Sequence, residues 1–301
     1  GKKAGTIGTL GAGLYGQLVA GERTTPDVIA VHRALADMRD AGAQLVAMEV
    51  SSHALDQGRV EGVKFSTAVF SNLTLDHLDY HGTMQAYFDA KAKLFAWPTL
   101  QHAVVNIDDS FGAQLIENMS TSVQVIITSS RHHENANLRA TDIHLSISGI
   151  DFDLHYEDQT VRIESLLLGR FNVDNLLSVA GVLLANGIEL GRVAELLSQL
   201  SPVDGRMNRI GGISGKPLVV VDYAHTPDAL EQVLITLRAH SEAQLICVFG
   251  CGGDRDRSKR PLMAASAEQW ADVVIVTDDN PRSESGDSIV AEICSGFELA
   301  E

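Results

Sequence analysis

The chain has 301 residues, 45% of them hydrophobic and 21% charged, with a formal net charge of −16. That composition is ordinary for a globular protein, and the length suffices for two domains of roughly 150 residues each. The acidic balance argues against a nucleic-acid partner or an anionic membrane surface, since both need a basic footprint. Three cysteines, Cys247, Cys251 and Cys294, are too few and too unevenly placed for a disulfide framework. Cys247 and Cys251 have no Cys or His companions at zinc spacing, so buried reduced thiols are expected. No apolar run approaches the roughly eighteen residues of a membrane span. The Gly-rich start lacks the apolar segment of a signal peptide, and a cytoplasmic location follows by default.

Taken in order, Gly5 to Gly16 reads as a glycine-spaced loop. Thr25-Pro26-Asp27 is a helix start, with Thr25 as N-cap, Pro at the first helical position and an acid in the first turn. Val28, Val31, Leu35 and Met38 then share a helical face, and Gly42 closes it. Residues 44–50 form a short apolar run, the pattern of a buried parallel strand, that meets Glu49, Ser51 and His53 at its carboxyl end. Residues 64–71 form a second strand, which runs into Asn72, Asp76 and His77. A helix carrying Lys91 comes next, and strands are expected over 102–107 and 122–128. This alternation is that of a parallel sheet covered on both faces.

Residues 138–168 alternate apolar and polar side chains, with turns at Ser148-Gly149 and Glu157-Asp158, which predicts an antiparallel ribbon. A helix starting near Asn172 and stopping at Gly187 follows, then a second over about 190–200. Ser201-Pro202 and Gly205-Arg206 punctuate the chain, and a domain boundary is placed there, between 1–204 and 205–301. Beyond it three parallel strands are expected, over 217–221, 244–249 and 273–277, with helices over 226–240 and 261–270. Together they make a small Rossmann-like sheet. The final stretch, 292–301, reads as helix.

Polar clusters follow the strand ends, where open α/β sheets bind ligands. Between Asn72 and Phe95, Asp76, His77, Asp79 and His81 fall within six residues, and Lys91 and Lys93 follow. Such residues suit a divalent-metal and phosphate site, or simply a polar loop capping an ordinary helix. Strand order puts this stretch beside Glu49 at one sheet edge. The stretch 251–261 sets Arg255, Arg257, Lys259 and Arg260 among glycines, a cationic island suited to carboxylate or phosphate recognition. Asp279-Asn280-Pro281-Arg282 fits a rigid turn presenting an amide and a guanidinium. No G-x-x-x-x-G-K-[ST] and no G-x-S-x-G occurs.

Ten segments in order resemble the Mur ligase family: TIGTLG (6–11), TTPD (24–27), MEVSSHAL (48–55), NLTLDHLDYHG (72–82), AYFDAKAKLF (86–95), GRFNVDNLL (169–177), GRMN (205–208), VVDYAHTPDAL (220–230), FGCGGDRDRSKRP (249–261) and DDNPR (278–282). The resemblance implies an α/β protein. It has a central, mostly parallel-sheet ATPase-like domain and a Rossmann-like C-terminal domain, and is a cytoplasmic monomer that binds neither nucleic acid nor membrane. It implies an amide ligase that uses ATP and Mg²⁺ to join meso-diaminopimelate to UDP-MurNAc-L-Ala-D-Glu through an acyl phosphate, in peptidoglycan synthesis. Carried over by position, Glu49 and His77 would be magnesium ligands, with Lys91 carbamylated into a third. Thr24, Thr25, Ser51, Gln57 and Arg59 would contact the muramoyl dipeptide. Asn172, Arg206, Asp222 and His225 would serve the nucleotide, with Lys91, Arg206 and Asp222 as catalytic groups. Arg255, Asn280 and Arg282 would recognise diaminopimelate. An arginine in the DNPR form can pair bidentately with that substrate's distal carboxylate, which lysine lacks.

His81 and Lys93 fall back to structural roles. The family's phosphate loop and uridine-nucleotide domain are expected upstream of residue 1, and a Gly-Lys-Gly-His-Glu segment beyond 301. The chain is therefore expected to be an internal fragment, inactive alone. Alternatives are a lysine-adding or folylpolyglutamate synthetase-like ligase, a non-catalytic remnant, and a metallohydrolase built on Glu49, His77 and Lys91.

Overall fold

The computed structural model describes residues 2–203, 205–212 and 216–298. They form two compact units. One holds the described residues up to 129 together with 133–137; the other holds 130–132 and the described residues from 138 onward.

The first unit opens not with a loop but with a tight meander, β1 (Ala4–Gly8), β2 (Gly11–Leu14) and β3 (Gln17–Val19). Gly8 pairs directly with Gly11 across the first turn. Gly11 has φ +120°, and a Cβ there would lie 2.4 Å from the Val19 carbonyl oxygen, so the glycines permit the close ladder rather than a free loop. Helix α1 (Val28–Asp40) follows, and its N-cap is Asp27, not Thr25: the Asp27 carboxylate accepts from Ala30 N at 3.0 Å. Thr25 is drawn inward instead and is 1% exposed.

Strand β4 (Leu45–Met48) pairs in parallel with β1, and α2 (Ser52–Asp56) leaves its carboxyl end. A second set of parallel strands comprises β5 (Thr67–Phe70), β6 (His102–Asn106) and β7 (Gln124–Ser129). Between β5 and β6 run α3 (Leu78–His81) and α4 (Met84–Ala92); α5 (Ser110–Glu117) joins β6 to β7. Thus β4 and β5 belong to different ladders among the described residues, where one shared sheet edge was expected. Phe70, Phe88, Phe95 and Val105 form the core around β5 and β6. A smaller core joins Val31, Ala54, Leu55 and Val60 under α1 and α2.

The second unit contains the expected ribbon, β8 (Leu138–Ser146), β9 (Gly149–Tyr156) and β10 (Gln159–Ser165), all antiparallel. Its inward residues Leu138, Ile150, Phe152, Leu154 and Ile163 are fully buried, as the alternation demands. Helices α6 (Phe171–Ala185) and α7 (Leu190–Leu197) come next. Strand β11 (Asn208–Gly211) then pairs antiparallel with β12 (Leu218–Val221). Helix α8 (Pro227–His240) is capped by Thr226, as its Thr-Pro-Asp start predicts.

Strands β13 (Ile246–Phe249) and β14 (Val273–Val276) are parallel and flank α9 (Lys259–Trp270); α10 (Gly286–Cys294) follows. The expected three-stranded parallel sheet is two separate pairs among the described residues, β12 with β11 and β13 with β14. The predicted terminal helix stops at Cys294, and its last residues, 299–301, lie outside the described ones. Cys247 and Cys251 are buried free thiols and Cys294 is exposed. Burial pushes the Cys247 thiol up to about 11.

Two side chains fasten the later half of this unit to its ribbon. Arg209 donates to the carbonyls of Ile147, Ser148 and Leu166 at 2.7 to 3.1 Å. His240, 5% exposed, bridges Ser146 O at 2.7 Å and Gly169 N at 2.8 Å.

Candidate functional site

In the first unit the candidate residues gather around a buried threonine. Thr25 Oγ1 donates to Glu49 O at 2.8 Å and accepts from Ser51 N at 3.0 Å. Arg59 Nη1 donates to Thr25 O at 3.1 Å, and its Nε donates to Gln57 Oε1 at 2.9 Å. Gln57 Nε2 in turn donates to Tyr80 OH, which donates to Asp56 Oδ2 at 2.9 Å. Ser51 caps α2 by accepting from Ala54 N, so its hydroxyl already has a structural partner. Thr24 Oγ1 lies 3.1 Å from Thr9 Oγ1, and Thr9 donates to Glu49 Oε2 from both its hydroxyl, at 2.8 Å, and its amide, at 3.2 Å. Thr9 was not singled out from sequence, although its place at the turn after β1 carried the signal. The structure thus brings Thr24, Thr25, Glu49, Ser51, Gln57 and Arg59 into one network.

His77 and Lys91 meet on a different surface, the ring of Tyr87. Lys91 Nζ lies 5.0 Å from the centroid of that ring, and the His77 ring stands edge-on to it at 5.6 Å. Burial holds the Lys91 ammonium below its ordinary pKa, with the Asp76 carboxylate opposing the shift. His77 has φ +53°, its amide donates to Asp76 Oδ1 at 2.7 Å, and its ring lies 5.0 Å from that of His53. No hydrogen bond or ion pair joins Glu49 to His77 or Lys91 among the described residues. Nor does any group of three His, Cys, Asp or Glu side chains there come close enough to cage a metal.

The connection runs instead through α2, which starts two residues after Val50 and carries His53 to His77. The donor chemistry nevertheless suits magnesium. That ion keeps several waters and takes one or two carboxylates plus substrate phosphates rather than a protein cage. Glu49 is held through Oε2 alone, which leaves Oε1 unpartnered among the described residues. His81 and Lys93 have other partners, Ser52 Oγ at 2.9 Å and Asp56 Oδ1 at 2.8 Å.

In the second unit an open pocket of about 590 Å³ lies at the carboxyl ends of β12, β13 and β14. Asp222, His225, Arg255 and Arg282 line it, together with Tyr223, Lys259 and Asp279. Asp222 is fixed by two amides, Met207 N on Oδ2 and Ala224 N on Oδ1, both at 2.9 Å. His225 Nδ1 donates to Tyr223 O at 3.0 Å, and Lys259 Nζ donates to His225 O at 2.6 Å. Arg255 has no hydrogen-bond partner among the described residues and is exposed.

Three candidates stand off the pocket wall. Asn172 donates to Leu168 O and accepts from Asn175 in the first turn of α6. Arg206 is exposed beside Met207. Asn280 uses its carbonyl to accept from Gly253 N at 2.8 Å. Sequence reasoning did not single out Tyr223 as a wall residue; its signal was adjacency to Asp222 at the same strand end.

The lining of this pocket carries both signs of charge, with Arg255, Lys259 and Arg282 beside Asp222 and Asp279. Residues 1–183 match the family model of the Mur ligase middle domain, and residues 205–300 match that of the Mur ligase glutamate ligase domain. The chain belongs to the Mur ligase family. It is 60% identical over 297 residues to the UDP-N-acetylmuramoyl-L-alanyl-D-glutamate–2,6-diaminopimelate ligase of Xanthomonas campestris pv. campestris (strain 8004), covering 99% of this chain and 60% of that protein. It is 54% identical over 301 residues to the ligase of the same name from Pseudomonas aeruginosa (strain PAO1), covering all of this chain and 61% of that one. A solved structure of a ligase of that name superposes with TM-score 0.83 at 40% identity, covering 99% of this chain and 61% of the other. The chain therefore spans about 60% of the length of the curated relatives it matches. The α/β class and the family resemblance read from the ten segments both hold.

Proposed function

We propose that the chain supplies the middle and glutamate-ligase residues of an enzyme that joins meso-diaminopimelate to UDP-MurNAc-L-Ala-D-Glu, at the expense of ATP, in peptidoglycan synthesis. The observation that carries this reading is the pocket of the second unit, whose lining includes Arg255, Arg282 and Asp279. An amino acid with two carboxylates and two ammonium groups needs both signs of charge, and an unpaired arginine is poorly suited to lysine's terminal ammonium. The residue assignments, the domain boundary near 204, the cytoplasmic monomer and the cofactors belong to the same reading. Among the described residues no helix is long and apolar enough to cross a membrane.

In this reading ATP supplies the phosphoryl group that activates the D-glutamyl carboxylate, and magnesium offsets the charge that gathers there. Glu49 and His77 would hold the ion. Lys91, its ammonium held below the ordinary pKa by burial, would be carbamylated and then offer oxygen ligands. Arg59, steadied by Gln57 and Thr25, would bind a substrate carboxylate and orient it. Arg255, Asn280 and Arg282 would hold the incoming amino acid so that its amine reaches the activated carbonyl. Asn172, Arg206, Asp222 and His225 would serve the nucleotide.

The test is a chimera in which these residues replace the matched segment of the Xanthomonas ligase. Phosphate release with UDP-MurNAc-L-Ala-D-Glu and Mg-ATP should require meso-diaminopimelate; equal turnover with L-lysine would sink the specificity assignment. The absence of any G-x-x-x-x-G-K-[ST] segment from the 301 residues favours a second reading for this chain taken alone. It would bind substrate without turning ATP over. Micromolar Mg-ATP binding in a calorimeter would overturn that.

A further inference from the structure

Two loops carry the cationic side of the second-unit pocket: residues 250–258, after β13, and residues 277–285, after β14. They are laid backbone against backbone. Gly253 N donates to Asn280 O at 2.8 Å, and a Cβ on Gly253 would fall 1.9 Å from Pro281 O. Each loop also holds one non-glycine residue in the left-handed region, Asp254 at φ +53° and Arg282 at φ +50°. Such conformations cost roughly 1 kcal/mol or more each and persist where the surroundings over-determine them.

The surroundings here are a clasp. Arg260, in the first turn of α9 and 0% exposed, grips Glu284 with both terminal nitrogens, Nη1 to Oε2 at 2.9 Å and Nη2 to Oε1 at 2.8 Å. Its Nη1 also reaches Glu292 of α10 at 2.7 Å. Glu284 Oε1 accepts in turn from Asp254 N at 2.7 Å, and Asp254 accepts from Ser283 Oγ and Ser283 N. So one buried guanidinium fixes Glu284, Glu284 fixes Asp254, and Ser283 closes the ring two residues beyond Pro281. Pocket residues sit on this ring or beside it: Arg282 within the clasped loop, Arg255 directly after Asp254. The Arg260 guanidinium holds the Glu284 carboxyl down at about 2, so the clasp keeps its charge throughout the neutral range.

We propose that Arg260 and Glu284 are positioning residues for amino-acid recognition: the clasp aims Arg255 and Arg282 into the pocket, and the affinity for the incoming diamino acid depends on it. The inference rests on the pocket reading above and deepens it. Neither residue touches the ligand; both act through Asp254 and the two loop backbones. Two variants test it in the whole chain. Glu284→Gln keeps the size and weakens the grip. Ser283→Ala opens the ring from the other side without disturbing the buried cation, so a folding failure of the first leaves the second decisive.

Two measurements are made on each variant: hydrogen exchange at the Gly253 and Asp254 amides, and titration with meso-diaminopimelate followed by calorimetry at a temperature where melting shows the protein fully folded. Both variants should lose at least tenfold protection at those amides and at least tenfold affinity for meso-diaminopimelate, and Arg192→Gln, in an exposed pair with Glu195 on α7, should change neither. Wild-type affinity with lost protection would overturn the positioning role and leave the pocket reading standing. Retained protection would refute the clasp itself. A wild-type chain that does not bind meso-diaminopimelate would overturn both the pocket reading and this inference.

Discussion

Lowering the pH through the histidine range should weaken the second unit at one named residue, His240. The Gly169 N–H points at Nε2, so Nε2 is the acceptor and Nδ1 carries the proton that goes to Ser146 O. A second proton on Nε2 would set one N–H against another. Burial disfavours the imidazolium first, and the Arg209 guanidinium adds to this, against the opposing pull of the Ser146 carbonyl; the ring's pKa lies below its usual value. The unfolded chain therefore takes the proton before the folded one does. The stabilisation is complete above about pH 6.5 and is lost as pH falls below it, at up to ~1.4 kcal/mol per pH unit.

Replacing His240 with Leu removes both bonds at every pH, orphans the amide of buried Gly169 and takes a donor from the carbonyl of half-buried Ser146. At about 1–3 kcal/mol for the orphaned amide and about 0.5–1.5 kcal/mol for the lost bond to Ser146, the cost at pH 8 is about 2–4 kcal/mol. The assay is urea unfolding followed by Trp270 fluorescence in a Trp97→Phe background, with and without His240→Leu, from pH 8 to pH 5. The difference between the two proteins should narrow by up to about 2 kcal/mol across that range. Titrations shared by both cancel in the difference. Parallel curves would refute the neutral, Nε2-accepting ring, and with it the assigned role of His240 in fastening α8 to the ribbon.

Thr25→Val should destabilise the first unit by about 1–3 kcal/mol, because Glu49 O and Ser51 N lose their shared partner; melting followed at Trp97 reads it, and no shift in midpoint would contradict the hub role. Iodoacetamide at pH 8 should label Cys294 first in the native protein and reach Cys247, whose thiol is held near 11, only on unfolding. Mass spectrometry of the peptides counts the labels, and equal rates at the two sites would contradict the burial. In the chimera, Lys91→Met should lower turnover by on the order of 100-fold or more while leaving meso-diaminopimelate binding unchanged. Loss of that binding instead would place Lys91 outside the role proposed for it.

Local chemistry announced much of the fold. The ribbon over 138–168 could be read because its alternation has period 2 and its turns carry Ser-Gly and Glu-Asp. Helix α8 could be read because Thr-Pro-Asp is an N-terminal signal in itself. The meander at the start was misread because glycine is equally at home in a loop and in a strand with positive φ. Strand β11 went unseen because Asn208–Gly211 is four residues long and carries no alternation. Asp27 displaced Thr25 from the cap because Thr25 has a better use, a buried bridge between two strand-end backbone groups that are 24 and 26 residues away in sequence.

The candidate site divides the same way. Residue types, their order and their attachment to strand ends were all present in the chain of letters, and with them the family. Which side chains share a network was not. Thr9 joins Glu49 across 40 residues, and Arg260 finds its two carboxylates 24 and 32 residues away. Local propensity acts within a turn or two of helix or between adjacent residues of a strand, so sequence alone settled the elements and the chemistry available at their ends. Pairing of distant charges and polar groups depends on where packing closes the chain. The tertiary structure therefore decided that Glu49 is tied to Thr9, and through Thr9 to Thr24, while His77 and Lys91 meet on Tyr87, and that a buried arginine holds the pocket loops together.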